Sequence, residues 1–295
     1  MAAEEETVAD YEFYQARADE QRALDLAATT SPFTIVVRFI AGLTQRQQEA
    51  FAAAADRWVR VIVGDLPEML VGDELIDDVL ISAQGRPIDG PGHILGSAGP
   101  RELRPPEAGA AAFLPATGSM SFDTADLARM EADGRLNDVI THEMGHVLGI
   151  GTIWDDKGLL RDAGTDNPVF TDAGAMEEYR VLRGAEDLHP VPVANEGGAG
   201  SRDSHWREFV FRNELMSPTI ASAGNPMSRM SVASLGDLGY QIDLAAADAY
   251  ALPDLLALAE SGELMQRGSP VDEGIMLPII PFVLPPESLQ TGRRA

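Results

Sequence analysis

Residues 142–154, HEMGHVLGIGTIW, restrict the structures open to this chain more than any other stretch. His142 and His146 stand four positions apart, so on a helix they lie about 40° apart around the axis and project side by side. Two imidazoles so placed can reach one ion at about 2 Å, the zinc–nitrogen distance. Glu143, next to the first histidine, points toward the same cleft. Leu136, Ile140, Met144 and Val147 recur every three or four residues on another face, which predicts a helix starting near Leu136 with its back in the core. Gly149 and Gly151 are suited to end it, because glycine tolerates the left-handed conformation of a helix C-cap. The chain has only five histidines, which disfavours a chance pairing of two solvated ones around this glutamate.

A catalytic zinc takes three protein ligands and keeps one position open for water. The helix supplies two, and the place six residues after His146 holds Thr152. Four residues compete for the third position: Asp155, soon after the helix; Glu214, in RNELMS; His189, in DLHPVP; and His205, in SHWREFVFRNELMSP. The residues after His205 favour it. An aromatic residue and a mixed stretch lead to Met216 shortly before Pro218, the arrangement of a methionine turn below a metal held by three histidines. His93, in GPGHILG, is expected to be a loop histidine.

The chain has no cysteine, so any metal site must use His, Asp or Glu, and thiol catalysis is excluded. Its 295 residues suffice for one large domain or a domain of two lobes. The 47 acidic residues against 22 basic ones give a formal charge of -25, which disfavours nucleic acid and anionic lipid as partners. The start, MAAEEETVADYEF, lacks the basic and apolar regions of a signal peptide. No stretch reaches the roughly 18 apolar residues of a membrane span, and IMLPIIPFVLPP (275–286) is short and broken by prolines. A soluble chain without an integral membrane segment is expected.

Along the chain, residues 9–28 suggest an exposed helix or lead segment. FTIVVRFI (33–40) predicts a buried strand, residues 44–63 an Ala-rich helix capped by Thr44, and DDVLISAQG (77–85) a second strand. The Gly/Pro-dense stretch 85–118 predicts loops between short strands. GSMSFDTADL (118–127) predicts a strand turning into a helix at Asp123 or Thr124. Residues 155–204 form a loop-rich insertion with one helix near DAGAMEEYRVLRG, and SVASLGDLGY (231–240) predicts a serine-capped helix. The acids at 155–166 have no EF-hand spacing, so calcium there is a lesser expectation than zinc at the histidines.

HEMGHVLGIG, HWREFVFRNELMSP and the later SRMSVASLGDLGYQID together resemble the leishmanolysin family of zinc metalloproteases, particularly its short bacterial relatives, over roughly residues 30–245. The resemblance implies His205 as third ligand, across a gap of 58 residues after His146, with Met216 in the Met-turn. It implies an α+β, metzincin-type zinc protease fold. An upper lobe (31–150) would carry a twisted mixed sheet and two long helices, including the active-site helix. An irregular lower lobe (151–245) would hold the insertion, the Met-turn and the C-terminal helix. Residues 1–30 would form a lead segment, and 246–295 a tail packing on the domain, with 275–286 lying across the lower lobe. The implied activity is a zinc endopeptidase acting on proteins or peptides through a water activated at one zinc, with Glu143 as general base. A monomer is expected, and extracellular action is suggested by the resemblance alone.

Substrate is expected to lie along GSMSF, with SPTIASAG (217–224) walling the leaving-group pocket. Without cysteine, the disulfides and prosegment cysteine of the founding family members have no counterpart. An inhibitory role for residues 1–30 would need a carboxylate such as Asp10 or Glu12, which is disfavoured. Two other functions stand beside the peptidase: a zincin with Glu214 or Asp155 as third ligand, and a non-catalytic, metal-stabilised binding or adhesion protein. An intact Glu143 argues against the latter.

Overall fold

A computed structural model describes residues 11–198, 200–220, 222–262 and 275–290. Asp10 and the rest of residues 1–10 lie outside them. The chain opens with strand β1 (Glu12–Arg17) and helix α1 (Glu20–Ala27). It continues through β2 (Thr34–Ala41), α2 (Gln45–Val61), the hairpin β3 (Met69–Val71) and β4 (Glu74–Ile76), then β5 (Val79–Arg86), β6 (Ile94–Leu103) and β7 (Pro115–Asp123). Helices α3 (Thr124–Asp133) and α4 (Leu136–Val147) come next. The insertion holds β8 (Leu160–Arg161), β9 (Val169–Phe170), α5 (Ala173–Arg183) and β10 (Val191–Pro192). The rest comprises α6 (Glu208–Phe211), α7 (Arg229–Leu238), α8 (Leu255–Ser261), β11 (Ile275–Pro278) and β12 (Phe282–Val283).

The main sheet has the order β1-β2-β5-β7-β6-β11, with β12 also paired to β6. The β2–β5 and β5–β7 pairs are parallel, whereas β1 and β6 run antiparallel to their neighbours β2 and β7. The alternating apolar residues of TIVVRFIA bury Ile35, Val37 and Phe39 on one side of the sheet. Helix α2 begins at a capping box in which Thr44 Oγ1 accepts Gln47 N–H and Gln47 Oε1 accepts Thr44 N–H. It buries Phe51, Ala54, Ala55 and Trp58, and the indole N–H of Trp58 donates to Thr141 O at 2.9 Å, fastening α2 to α4. One apolar core runs through the molecule from Ala16 to Tyr240.

The α+β class agrees with the sequence, but several elements differ. Residues 12–17 are not helical: they add an edge strand, because their backbone finds a complete ladder on β2. Glu12 lies on that strand, at the sheet edge opposite β11. The stretch expected to be loops between short strands holds one long strand, the ten-residue β6. GSMSF lies within β7, which is flanked on both sides by β5 and β6, so it has no free edge for a substrate. The tail pairs with β6 in the main sheet, and Met276 also lies against Gly200 of the insertion. Helix α7 starts two residues earlier than read from sequence, capped by Ser228. Among the described residues no helix is long and apolar enough to cross a membrane.

Candidate active site

Helix α4 follows α3 after a left-handed turn at Gly134 and is buried along most of its length. Its back packs into the core through Ile140, Met144 and Val147, all fully buried, and its other face presents His142, Glu143 and His146 to a cleft of about 610 Å³. Gly145, between the two histidines, has no room for a side chain. A Cβ there would stand 2.8 Å from both Met216 Sδ and the Trp58 ring, so the missing side chain lets Met216 press directly beneath the helix.

At the helix end the backbone turns through Gly149 and Gly151, both left-handed. A Cβ on Gly151 would run into the carbonyl oxygen of Ser204, so this glycine permits the loop carrying His205 to close over the helix terminus. The insertion supports that loop from behind. Strands β8, β9 and β10 form a small antiparallel sheet, and Val193 bridges to Trp206. Trp154 and Trp206 pack with ring centroids 4.7 Å apart, beside Phe170. The indole N–H of Trp206 donates to Ser231 Oγ, and its backbone N–H to Met216 O.

Three imidazoles therefore converge from two distant stretches. Their Nε2 atoms lie 3.1 Å (His142–His205), 3.0 Å (His142–His146) and 2.9 Å (His146–His205) apart. Each Nδ1 faces a backbone carbonyl: Leu215 O at 2.6 Å for His142, Ile150 O at 2.8 Å for His146 and Ser201 O at 3.0 Å for His205. A carbonyl only accepts, so each Nδ1 carries the proton and each Nε2 offers a lone pair. Burial pushes the conjugate acids of His142 down to about 3 and of His146 down to about 4, and holds His205 well below its usual value. Three neutral lone pairs facing one another this closely repel unless a cation lies among them. The donor set therefore fits a divalent metal, with outward partners that fix each tautomer. These three residues could hold a metal ion.

Glu143 is buried, and desolvation pushes its carboxyl up to about 8. The cleft it shares with the histidines is walled by Val139, Pro218 and Ile220, the last two from SPTIASAG. Asp138 Oδ2 accepts Gly224 N–H at 2.6 Å and ties that wall to the first turn of α4.

The other candidates for the third position lie elsewhere. Asp155 is exposed, and His189 is exposed beside Asp187. Glu214 is fully buried and engaged: Oε1 accepts Ser228 N–H, Ser228 Oγ–H and Ser231 Oγ–H, while Oε2 accepts Met216 N–H. It braces the turn instead of facing the histidines, a role sequence reasoning missed although an acid beside the expected turn and serines at 228 and 231 were the available signal. Among the described residues the acids at 155–166 do not gather into a three-ligand cluster; the acidic group that does is Asp65, Asp77 and Asp78. His93 is exposed. Tyr240 is buried behind the site, where its hydroxyl donates to Leu148 O.

A mixed sheet backing a helix with two histidines, met by a third from a distant loop above a buried methionine, is consistent with a metzincin-type fold. Residues 111–255 match the peptidase family described as Leishmanolysin. The chain is leishmanolysin-like: over 142 residues it is 32% identical to leishmanolysin of Leishmania major and, over an equal length, 32% identical to that of Leishmania chagasi. Each of these matches covers 45% of this chain and 23% of the relative. A leishmanolysin homolog of Crithidia fasciculata is 25% identical over 133 residues, which cover 43% of this chain and 20% of the relative. The matched stretch thus spans under a quarter of the length of these relatives.

Proposed function

We propose that the chain is a zinc-dependent endopeptidase that hydrolyses peptide bonds of protein substrates. The observation that carries this reading is the triangle of His142, His146 and His205 Nε2 lone pairs with Glu143 in the same cleft. His142, His146 and His205 would hold the ion, and Met216 would support the helix from below as the Met-turn residue. A zinc ion so held supplies a Lewis acid and lowers the pKa of water to about 7.

Glu143 then has the central role. Its carboxylate takes the proton of the attacking water and delivers it to the nitrogen of the leaving amine. Burial alone favours its protonated form, and with a divalent cation held by the three histidines its carboxylate form would be favoured. The Nδ1–carbonyl contacts keep the imidazoles oriented, with their lone pairs inward. Val139, Pro218 and Ile220 offer an apolar wall for a substrate side chain beside the reacting carbonyl. In this reading residues 31–150 form the upper side of the catalytic unit and 151–245 the lower, flanked by the segments 1–30 and 246–295.

The test is casein cleavage by purified chain, with and without a chelator, beside Glu143→Ala. The reading requires cleavage that the chelator abolishes and zinc restores. A zinc-loaded chain that cleaves no unfolded protein would instead favour a structural or adhesive role.

A further inference from the structure

The outer edge of β6 is the sheet edge nearest the cleft, since β7 is paired on both sides and β1 lies at the opposite end. That edge is already taken. Ile275 N–H donates to His93 O at 2.7 Å, β11 pairs in parallel with β6 from Ile275↔Ile94 to Pro278↔Ala98, and β12 continues to Val283↔Leu103. Residues 275–279 line the same cleft as His142, Glu143, His146 and His205. They thread a narrow passage: Met276 O would stand only 2.7 Å from a Cβ on Gly200, in the loop that carries His205, and Ile279 Cβ 3.3 Å from one on Gly99 of β6.

The hold on this segment is light. Met276 and Ile279 are half-buried, Ile275, Leu277 and Pro278 are exposed, and Ile280 is 93% exposed. Pro278 offers no N–H, so the β11 ladder cannot run on through it. A four-residue strand with few buried contacts belongs to the part of a structure that opens at low free-energy cost.

We propose that residues 275–279 are a tethered occupant of the peptide groove, held in cis on β6, which an extended apolar peptide must displace to reach the three histidines. This rests on the peptidase reading for its consequence, but the occupancy itself is read by binding. The groove is thereby assigned a ligand class, an extended apolar peptide paired to β6, and the chain carries its own competitor.

The experiment uses the zinc-loaded full chain and a labelled synthetic peptide of residues 275–281, followed by fluorescence anisotropy. Met276→Asp/Ile279→Asp, introduced together, should raise its affinity at least about tenfold, as expected when the groove of the parent chain is open in a tenth or less of molecules. Casein cleavage should rise in parallel. A second form keeps every native residue: a specific protease site inserted between residues 262 and 275 is cut after purification, which guards against misfolding of the double variant. Equal peptide affinity in parent, variant and cut chain would overturn the assignment. Tighter peptide binding without any casein cleavage would sustain the occupancy and refute the peptidase reading instead.

Discussion

The Nδ1–H of His142 donates to the carbonyl of Leu215 at 2.6 Å, joining the middle of α4 to the residue just before Met216. The orientation of a helix histidine is thus set by a turn 73 positions away. The same turn is braced by Glu214 and presses Met216 under Gly145, so the geometry of the cage and the packing of the turn are one mechanical unit.

Glu143→Gln removes the carboxylate proposed as proton acceptor while keeping size and polarity. Turnover should fall by about 10²- to 10⁴-fold, the usual share of general acid–base catalysis, with zinc content by elemental analysis unchanged. Near-normal hydrolysis would exclude Glu143 as the base.

His205→Ala should cost zinc affinity by more than about 100-fold, exceeding the loss typical of removing an outer partner. Competition with a chromophoric chelator measures it. Glu214→Ala, in contrast, should leave stoichiometric zinc at low temperature; the reverse pattern would make Glu214 the third ligand.

The same Glu214→Ala substitution should strongly destabilise the fold. It strands the hydroxyls of Ser228 and Ser231 and the N–H of Met216 inside the protein. A loss of about 3–5 kcal/mol is expected, read from urea or thermal unfolding. A change below about 1 kcal/mol would show that the brace is dispensable.

The imidazoles of His142 and His146 are pushed down to about 3 and about 4, and His205 shifts in the same direction. The unfolded chain takes up these protons near 6.5, before the folded one does. The resulting stability of the metal-free protein is therefore full above about pH 6.5 and lost progressively as pH falls toward about 3. Because the folded site is already neutral, zinc binding at pH 6 should release few protons from the histidines. Calorimetry in buffers of different ionisation enthalpy tests this; a release approaching three protons would mean that the imidazoles are not held neutral.

Much of the structure was legible where local chemistry and tertiary context agree. The Thr44 cap, the β-branched run at 34–41 and the turn at Asp123 into α3 all lie where their side chains predict. The histidine pair on α4 is a matter of helical period alone. Strand β6 was hidden because Gly96, Gly99 and Pro100 look like loop residues, yet close packing requires the first: a Cβ on Gly96 would collide with the Ser121 carbonyl of β7. Strand β1 was hidden because EFYQAR is polar and largely exposed, as an edge strand can be. The tail's position on β6 depends on a partner far away in sequence, which no local pattern encodes. The gathering of His205 with the helix pair was suggested by the neighbouring HWREFVFRNELMSP rather than by spacing.

The packed rings of Trp154 and Trp206, tilted by 33°, close the insertion at its base, so the chain leaves and re-enters the site through a single aromatic joint. Residues 161–167 and 186–190 beyond that joint are exposed, and lengthening a loop costs only slowly more entropy as it grows. Extra residues spliced in there would change the outline of the molecule while leaving the histidine cage in register, which makes the separation between His146 and His205 a poor ruler for finding such sites by search.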